Sequence, residues 1–483
     1  MGRAKYSSPF PELQLSREDA ERIEHLAHML VQKNLAQYEA HMTRGQGVVD
    51  EHKWKFMRQR ENVRAYAERR RHKRSSKSSN SKPEGMSSRM PNLPYHNTEF
   101  QQLQHVDDHS TPSPTPSDTS SSFESTEASA DLPVIHVVGS VEGTLDDIVY
   151  GILSPAVDAM RVKTAYMQVQ LADIAVLETL VTPTLENPFQ SITIKWVENT
   201  QKLLLRPAVN NRDFIYIEAT GTTQTSTGER IGYHLLHSVH FPQTHSIDSL
   251  VRGNMSACGL YRQKPENPNE VDVFFKGILD PGGMALRSLV VIAAVDVFVA
   301  IWKYVECSRS KKLAWLMRTR SRALSSAGES GYLSSGTVTS NSSNNYNSHP
   351  ILGSSDSRRF GPQPHKLEPQ CVSCHKSPST NLLSGLRRRR CSLCFKYVCS
   401  SCKIRKTLVH LTSAEAKLLQ REFAFCPPCY HEAIHADAFE VAQQEFASVD
   451  NFGSELFTST NSDGSSSRGS RFSVESLADS LFS

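Results

Sequence analysis

The fold class this sequence predicts is α+β, with an antiparallel sheet domain joined by a linker to a small cross-braced finger. Three observations carry it. Short alternating runs of β-branched and aromatic residues are followed by one long apolar stretch. Eight of the ten cysteines fall between Cys371 and Cys429, all in CxxC pairs. Tracts rich in Ser, Thr, Pro, Asn and Gly separate these regions and hold too few apolar residues to offset the entropy of ordering them. With 483 residues and 38% hydrophobic content, the chain can supply a sizeable core to only part of its length. The net charge of +4 is small for this length, so an anionic partner must be met by local clusters.

Residues 14 to 40 read as a helix. Ser16 is placed to cap it, Glu18 and Asp19 complement the dipole of the first turn, and Ile23, Leu26, Leu30 and Val31 recur at helical spacing. "WKFMRQRENVRAYAER" gives two apolar stretches around a polar RQREN, a hairpin pattern. "RRRHKR", Arg69 to Arg74, opens a Ser, Thr and Pro tract that runs to about Ala130, and 73–130 is expected to be disordered. The basic run is read as the solvated edge of that tract, with a nuclear address or an anionic-membrane patch as the alternatives. Order returns at Leu132, and Thr144 is placed to cap a helix carrying Asp146 and Asp147. Strand patterns follow at 191–197, 214–221, 230–241 and 271–279, and "TSTGE" supplies a turn between the second and third. A long helix from Gly283 to Glu306 closes the domain. Within it, Leu286 to Val305 imitates a membrane span, but Asp296 leaves too short an uninterrupted apolar run on either side, so a buried or cavity-lining helix is expected.

These segments, and "VVGSVEGTLDDIVYG", "RDFIYIEATG", "ERIGYHLLHSV" and "VDVFFKGILDPGG" above all, resemble the START-like lipid-binding domains. The resemblance covers 15–306, with 73–130 as an insertion into one domain. It implies a helix-grip fold that encloses a hydrophobic tunnel for one apolar lipid or sterol. A flexible linker, 307–364, follows by composition. The finger with its following helix is expected at 365–446, and a disordered tail at 447–483. In that tail Val474, Leu477 and Leu481 lie at helical spacing, and a floppy end is the expectation.

The cysteine pairs are Cys371 and Cys374, Cys391 and Cys394, Cys399 and Cys402, Cys426 and Cys429. Two residues between thiolates let one turn present both sulfurs to one tetrahedral ion, so four pairs imply two zinc ions. Three pairings of the knuckles exist. The second and third pairs lie only four residues apart, which favours a cross-brace: Cys371, Cys374, Cys399 and Cys402 around one zinc, Cys391, Cys394, Cys426 and Cys429 around the other. Four thiolates leave no open position, so both ions are structural. No signal peptide precedes this block in "MGRAKYSSPF", and Tyr6 stands where a myristoylation signal has Ser or Thr; a cytoplasmic chain is expected.

"GLRRRRCSLC" and the cysteine spacing resemble the FYVE family of zinc fingers over about 365–432. That resemblance implies binding of phosphatidylinositol 3-phosphate on endosomal membranes. Arg387, Arg388, Arg389 and Arg390 match the family's basic motif but contain no histidine pair. Ser392, Phe395 and Tyr397 replace the family's arginine, glycine and arginine, and the stretch "PHKLEPQC" that leads into Cys371 contains no tryptophan. Guanidinium groups bond phosphate oxygens bidentately and stay charged, so the run is expected to hold an acidic lipid headgroup with reduced phosphoinositide selectivity. Leu382 and Leu383, with Leu386 nearby, fall where the family inserts an apolar loop into the bilayer.

The expected function is a non-enzymatic adaptor, peripheral on endosomal or other acidic membranes, whose START-like domain holds an apolar lipid. Its partners are acidic phospholipid membranes, an apolar ligand and proteins met by the linkers or tail, with no nucleic acid. A RING-like ubiquitin ligase or protein-docking module is the alternative, because RING fingers share the cross-brace; they usually include a histidine ligand, and here every ligand position is cysteine. No P-loop, Rossmann glycine pattern or GxSxG elbow occurs. His234, His237 and His240 lie on one strand pattern and are read as surface or satisfied strand histidines.

Overall fold

The computed structural model describes residues 8–69, 124–125, 132–199, 210–283, 286–330, 370–377, 390–411 and 418–457. Most of the expected insertion 73–130, part of the linker and the far tail lie outside them. The chain divides into two compact units: Met1–Arg309 with Leu411–Leu418 and Asp437–Ser483, and Ser310–His410 with Leu419–Ala436.

The larger unit is built on one long antiparallel sheet. Its strands are β1 (Trp54–Arg60), β2 (Val63–Glu68), β3 (Glu124–Ser125), β4 (Ile135–Glu142), β5 (Leu171–Val181), β6 (Ser191–Asn199), β7 (Asn211–Gln224), β8 (Arg230–His240), β9 (Leu250–Lys264) and β10 (Asn267–Asp280). They run in the order β1-β2-β4-β10-β9-β8-β7-β6-β5, and β3 pairs with β8 off this path. Near the start of β7, Asn211–Phe214 also pair in parallel with Leu250–Gly253 of β9.

Helices cover both faces, and two adjacent residues show it. Successive strand side chains point to opposite sides. Phe274 meets Tyr38 of α1 (Arg17–Gly45) at 5.5 Å between ring centroids, and Phe275 meets Phe298 of α4 (Arg287–Phe298) at 4.8 Å. Helix α1 begins where the sequence places its cap, with the Ser16 hydroxyl accepting from the amide of Asp19 at 3.1 Å. Its buried stripe of Ile23, Ala27, Leu30 and Leu35 packs on Ile194, Trp196, Ile217, Leu235 and Leu260. Each fully buried side chain of this size contributes about 1.5–3 kcal/mol. The opposite face carries α2 (Leu145–Ile152), capped by Thr144, then α3 (Val157–Met167) and α4. Gly151 lets α2 approach the backbone of Tyr304, since a Cβ there would lie 2.0 Å from the Tyr304 carbonyl oxygen.

The expected single helix from Gly283 to Glu306 is instead α4, a 3-10 segment Val299–Lys303, and α5 (Tyr304–Ser330). Residues 307–330, assigned to the linker by composition, therefore continue a helix. By length and composition Ser288–Arg320 is long and apolar enough to cross a membrane, which corrects the shorter count made around Asp296. Val290, Ala294, Val295, Phe298 and Val299 of this stretch are buried, whereas Leu286, Leu289, Ile292 and Val297 are exposed, and Asp296 ion-pairs with Arg58 of β1. Strands β5 and β9 and helix α3 were not read from the sequence.

The helix expected at 431–446 is broken at Ala436 into α6 (Pro427–His435) and α7 (Ala438–Phe457). Helix α7 belongs to the sheet unit. Its Phe439 ring meets Phe189 edge-on at 5.5 Å, and Glu445 accepts a 2.6 Å hydrogen bond from the Tyr150 hydroxyl of α2.

The smaller unit holds the cysteines and begins at Ser310 rather than 365. Its elements are the later part of α5, the two-stranded sheet of β11 (Ile404–Leu411) and β12 (Leu418–Phe425), and α6. Its buried cluster joins Leu313 to Leu393, Tyr397, Val398, Leu408, Phe423, Phe425 and Ala433 around the cysteines.

Candidate metal centre and buried ionic cluster

The eight cysteines form two groups. Cys371, Cys374, Cys399 and Cys402 bring their sulfurs within 4.8 Å of one another, and so do Cys391, Cys394, Cys426 and Cys429. Two similar turns position them. His375 N–H donates to the Cys371 carbonyl at 2.9 Å and Cys371 N–H to the Lys376 carbonyl at 3.0 Å; Phe395, Cys391 and Lys396 repeat the pattern at the same distances. Amide hydrogens then point at sulfur, Cys399 N–H to Cys371 Sγ at 3.3 Å and Leu393 N–H to Cys391 Sγ at 3.5 Å.

The donor sets fit a metal ion. A tetrahedral ion with metal–sulfur bonds of about 2.3 Å needs sulfurs about 3.8 Å apart. Cys374 and Cys399 stand at 3.6 Å, Cys394 and Cys426 at 3.8 Å. The second group is the more buried, with Cys391, Cys426 and Cys429 all below a tenth exposed, against Cys371 alone in the first.

The departure from the FYVE glycine at Phe395 falls on a left-handed residue, φ +58°, and His375 occupies the same position of the first turn at φ +56°. Side chains are disfavoured there and glycine is not, so both turns carry a small backbone strain. Of the arginine run, Arg390 lies among the described residues and pairs with Tyr397 in an isolated bridge at the Cys391 turn. Arg387, Arg388 and Arg389 lie outside them, as do Leu382 and Leu383.

A second constellation lies in the sheet unit, on the face opposite α1. Glu218 of β7, with a side chain only 5% exposed, accepts from Lys163 Nζ of α3 at 2.8 Å, from Ser154 Oγ at 3.2 Å and from Lys195 Nζ of β6; His234 Nε2 of β8 stands 2.9 Å from its Oε1. Lys195 is fully buried and also donates to the Ser154 carbonyl at 2.6 Å. Burial pushes the Lys195 ammonium down to about 8 against the pull of Glu218. Burial alone would raise the Glu218 carboxyl, but Lys163, Lys195 and His234 together hold it well below its ordinary value. Burial likewise depresses His234. Two ammonium groups against one carboxylate leave the cluster net positive. With Nε2–H donating to the carboxylate, His234 Nδ1 is an acceptor. Neither that atom nor the Tyr261 hydroxyl has a hydrogen-bond partner among the described residues.

Sequence reasoning missed this cluster. The expectation for the histidines captured only their satisfaction. His234 bonds Glu218, His237 bonds Ser256 Oγ at 3.0 Å, and both are buried, while His240 is exposed. The available signal was charge in alternation with apolar residues, Lys195 in "SITIKWV" and Glu218 in "FIYIEATG", at positions whose neighbours are all core.

No family model matches the chain, and no curated protein matches it. Among solved structures it is similar to human STARD10, at 10% identity over 62% of this chain and 81% of that one, TM-score 0.32. It is also similar to human StAR-related lipid transfer protein 5, at 12% identity over 60% and 98%, TM-score 0.33. A STAR-related lipid transfer protein fragment from Xanthomonas axonopodis matches at 13% identity over 53% and 99%, TM-score 0.30. In this chain one long antiparallel sheet carries helices on both faces, and the eight cysteines gather in two groups of four in which alternate CxxC pairs meet.

Proposed function

We propose that the chain is a non-enzymatic lipid- and membrane-binding adaptor with two structural zinc ions. The observation that carries the proposal is that the arginine run enters the Cys391 turn through the bridge of Arg390 to Tyr397, so its end is held by a closed four-thiolate centre. Zinc follows from the chemistry of the donors, since soft thiolates in a tetrahedral set select it and leave no position open for a substrate. Arg387 to Arg390 then present charge to acidic headgroups, and Leu382 and Leu383 supply the apolar half of a reversible membrane anchor. In the sheet unit the ligand is an apolar lipid with a polar head. The positive Lys163, Lys195 and Glu218 cluster and the available His234 Nδ1 and Tyr261 hydroxyl are the groups that a hydroxyl or anionic head can pair with. The site of action is the surface of an endosomal or other acidic membrane.

The test is co-sedimentation of the zinc-loaded full chain with vesicles that differ only in phosphoinositide, beside a variant with Arg387→Ala, Arg388→Ala, Arg389→Ala and Arg390→Ala. Binding to acidic vesicles that is lost in the variant supports the reading, and a preference for the 3-phosphate would make it endosomal. Absence of binding to any vesicle overturns it.

A further inference from the structure

The second metal group does not stand on cysteines and knuckles alone. Four thiolates around a divalent cation carry a net charge of about −2, and the group formed by Cys391, Cys394, Cys426 and Cys429 is largely withdrawn from solvent. A charge of that size, held away from water, calls for a cation. One is in place. Arg320, on α5, directs Nη1 at Cys429 Sγ from 3.9 Å, and its Nη2 is anchored by Glu432 Oε1 of α6 at 2.5 Å.

The helix that delivers Arg320 is fixed to the metal unit along one stripe. Lys312, Leu316 and Arg320 recur every four residues and so share a face. Lys312 is 1% exposed, and its ammonium donates to the carbonyls of Ile434 at 2.6 Å and Ala436 at 2.9 Å, where the C-terminal end of α6 leaves acceptors free. Leu313 is equally buried, in the same cluster as Cys371, Cys391 and Cys426, with Leu316 and Met317 packed against it. A buried lysine that closes a helix end and a buried leucine among the ligands are features of a wall, not of a linker.

We infer that residues 310–320 of α5 are an integral part of the second metal site, with Arg320 as a positioning residue that offsets the thiolate charge and orients Cys429. The inference deepens the reading of the cysteine groups as zinc sites and rests on it. It also makes the two sites unequal. The second depends on a side chain some 70 residues upstream of its first cysteine, beyond any spacing pattern of the finger itself.

The experiment follows zinc transfer from the full-length chain to a chromophoric chelator, for the wild type, Arg320→Gln and Arg320→Lys, with circular dichroism to confirm that each variant is folded. Expected is a fast phase of one zinc equivalent in Arg320→Gln, accelerated about 10-fold or more over the wild type, with the other equivalent unchanged. Arg320→Lys, which keeps the charge, should recover most of the difference. With cobalt in place of zinc, the thiolate charge-transfer band of one ion should shift in Arg320→Gln while the other stays. Release of both equivalents at the wild-type rate in Arg320→Gln overturns the inference. So does equal acceleration of both, which marks general loosening of the unit. A wild-type chain that binds fewer than two zinc ions overturns the zinc reading and this inference with it.

Discussion

The two units of this chain solve the same problem by different physics. The sheet unit has enough length to bury a continuous apolar layer, in which Trp196, Ile194, Ile217 and Ile23 are all at or near zero exposure. It can then also hold a buried ionic cluster around Glu218. Among the described residues the cysteine unit is small, with one two-stranded sheet, one short helix and the later part of α5 around the sulfurs. Ligation at the two four-cysteine groups would supply much of its stability. The contrast teaches where each unit keeps its polar groups. In the larger unit they are buried on both sheet faces, Glu218 with Lys195 opposite α1 and Asp213 with Arg252 on the α1 side, and in the smaller one the sulfurs gather at the knuckle turns.

The sharpest way to break the comparison is to remove the metal. Structural zinc contributes an apparent ~10–16 kcal/mol of binding free energy that is also folding free energy. Chelation should therefore abolish amide protection in β11, β12 and α6 while β6 to β9 keep theirs, as hydrogen exchange would read directly. Loss of protection in both units together would merge what the comparison separates.

Next in size is Glu218→Gln. It leaves Lys195 buried without its carboxylate, which should cost about 3–5 kcal/mol in denaturant unfolding of the sheet unit. Converting the cluster together, Lys163→Met and Lys195→Met with Glu218→Leu, should recover most of that loss, because the penalty belongs to the uncompensated charges and not to the missing attraction.

Acid should act on the sheet unit through its buried histidines. Burial holds His136 at about 3 and His237 at about 4. Because both lie below the ordinary 6.5, the unfolded chain takes up protons first as the pH falls. The stability they confer is complete above about pH 6.5 and is lost progressively from there down through about 4 and 3, by roughly 1.4 kcal/mol per pH unit for each group. His237→Asn should flatten the slope of stability between pH 6 and 4, measured by denaturant midpoints at constant ionic strength.

The smallest effect tests the metal turns. His375 is exposed and left-handed, so His375→Gly should stabilise the cysteine unit by up to about 1 kcal/mol in a metal-competition titration, less what glycine gives back in unfolded-chain entropy.

These differences also mark what was legible in the sequence. Ser16 and Thr144 announce their helices because a cap is a local contact, and the side-chain oxygens accept from Asp19 and Asp147 as their spacing requires. The cysteine pairs announce tetrahedral sites because thiolate spacing is local chemistry. Strand β9, by contrast, contains "VRGNMSACGLYRQK", where glycines and polar residues hide the alternation, and only pairing on both sides makes it a strand. The Glu218 cluster gathers residues from α3, β6, β7 and β8, whose meeting is set by strand register. The end of α5 looked like linker because its serines and arginines were weighed by composition; Lys312 and Leu313 take their meaning from α6 and from cysteines more than fifty residues away.

The proposed function gives membrane binding to the metal-held unit and ligand holding to the sheet unit. Its most direct test is co-sedimentation of the full chain with acidic vesicles before and after zinc removal, with hydrogen exchange run on the same samples. The account predicts that chelation abolishes sedimentation and leaves the protection of β6 to β9 intact. Undiminished sedimentation of the metal-free chain would contradict it and place the membrane contact outside the cysteine unit.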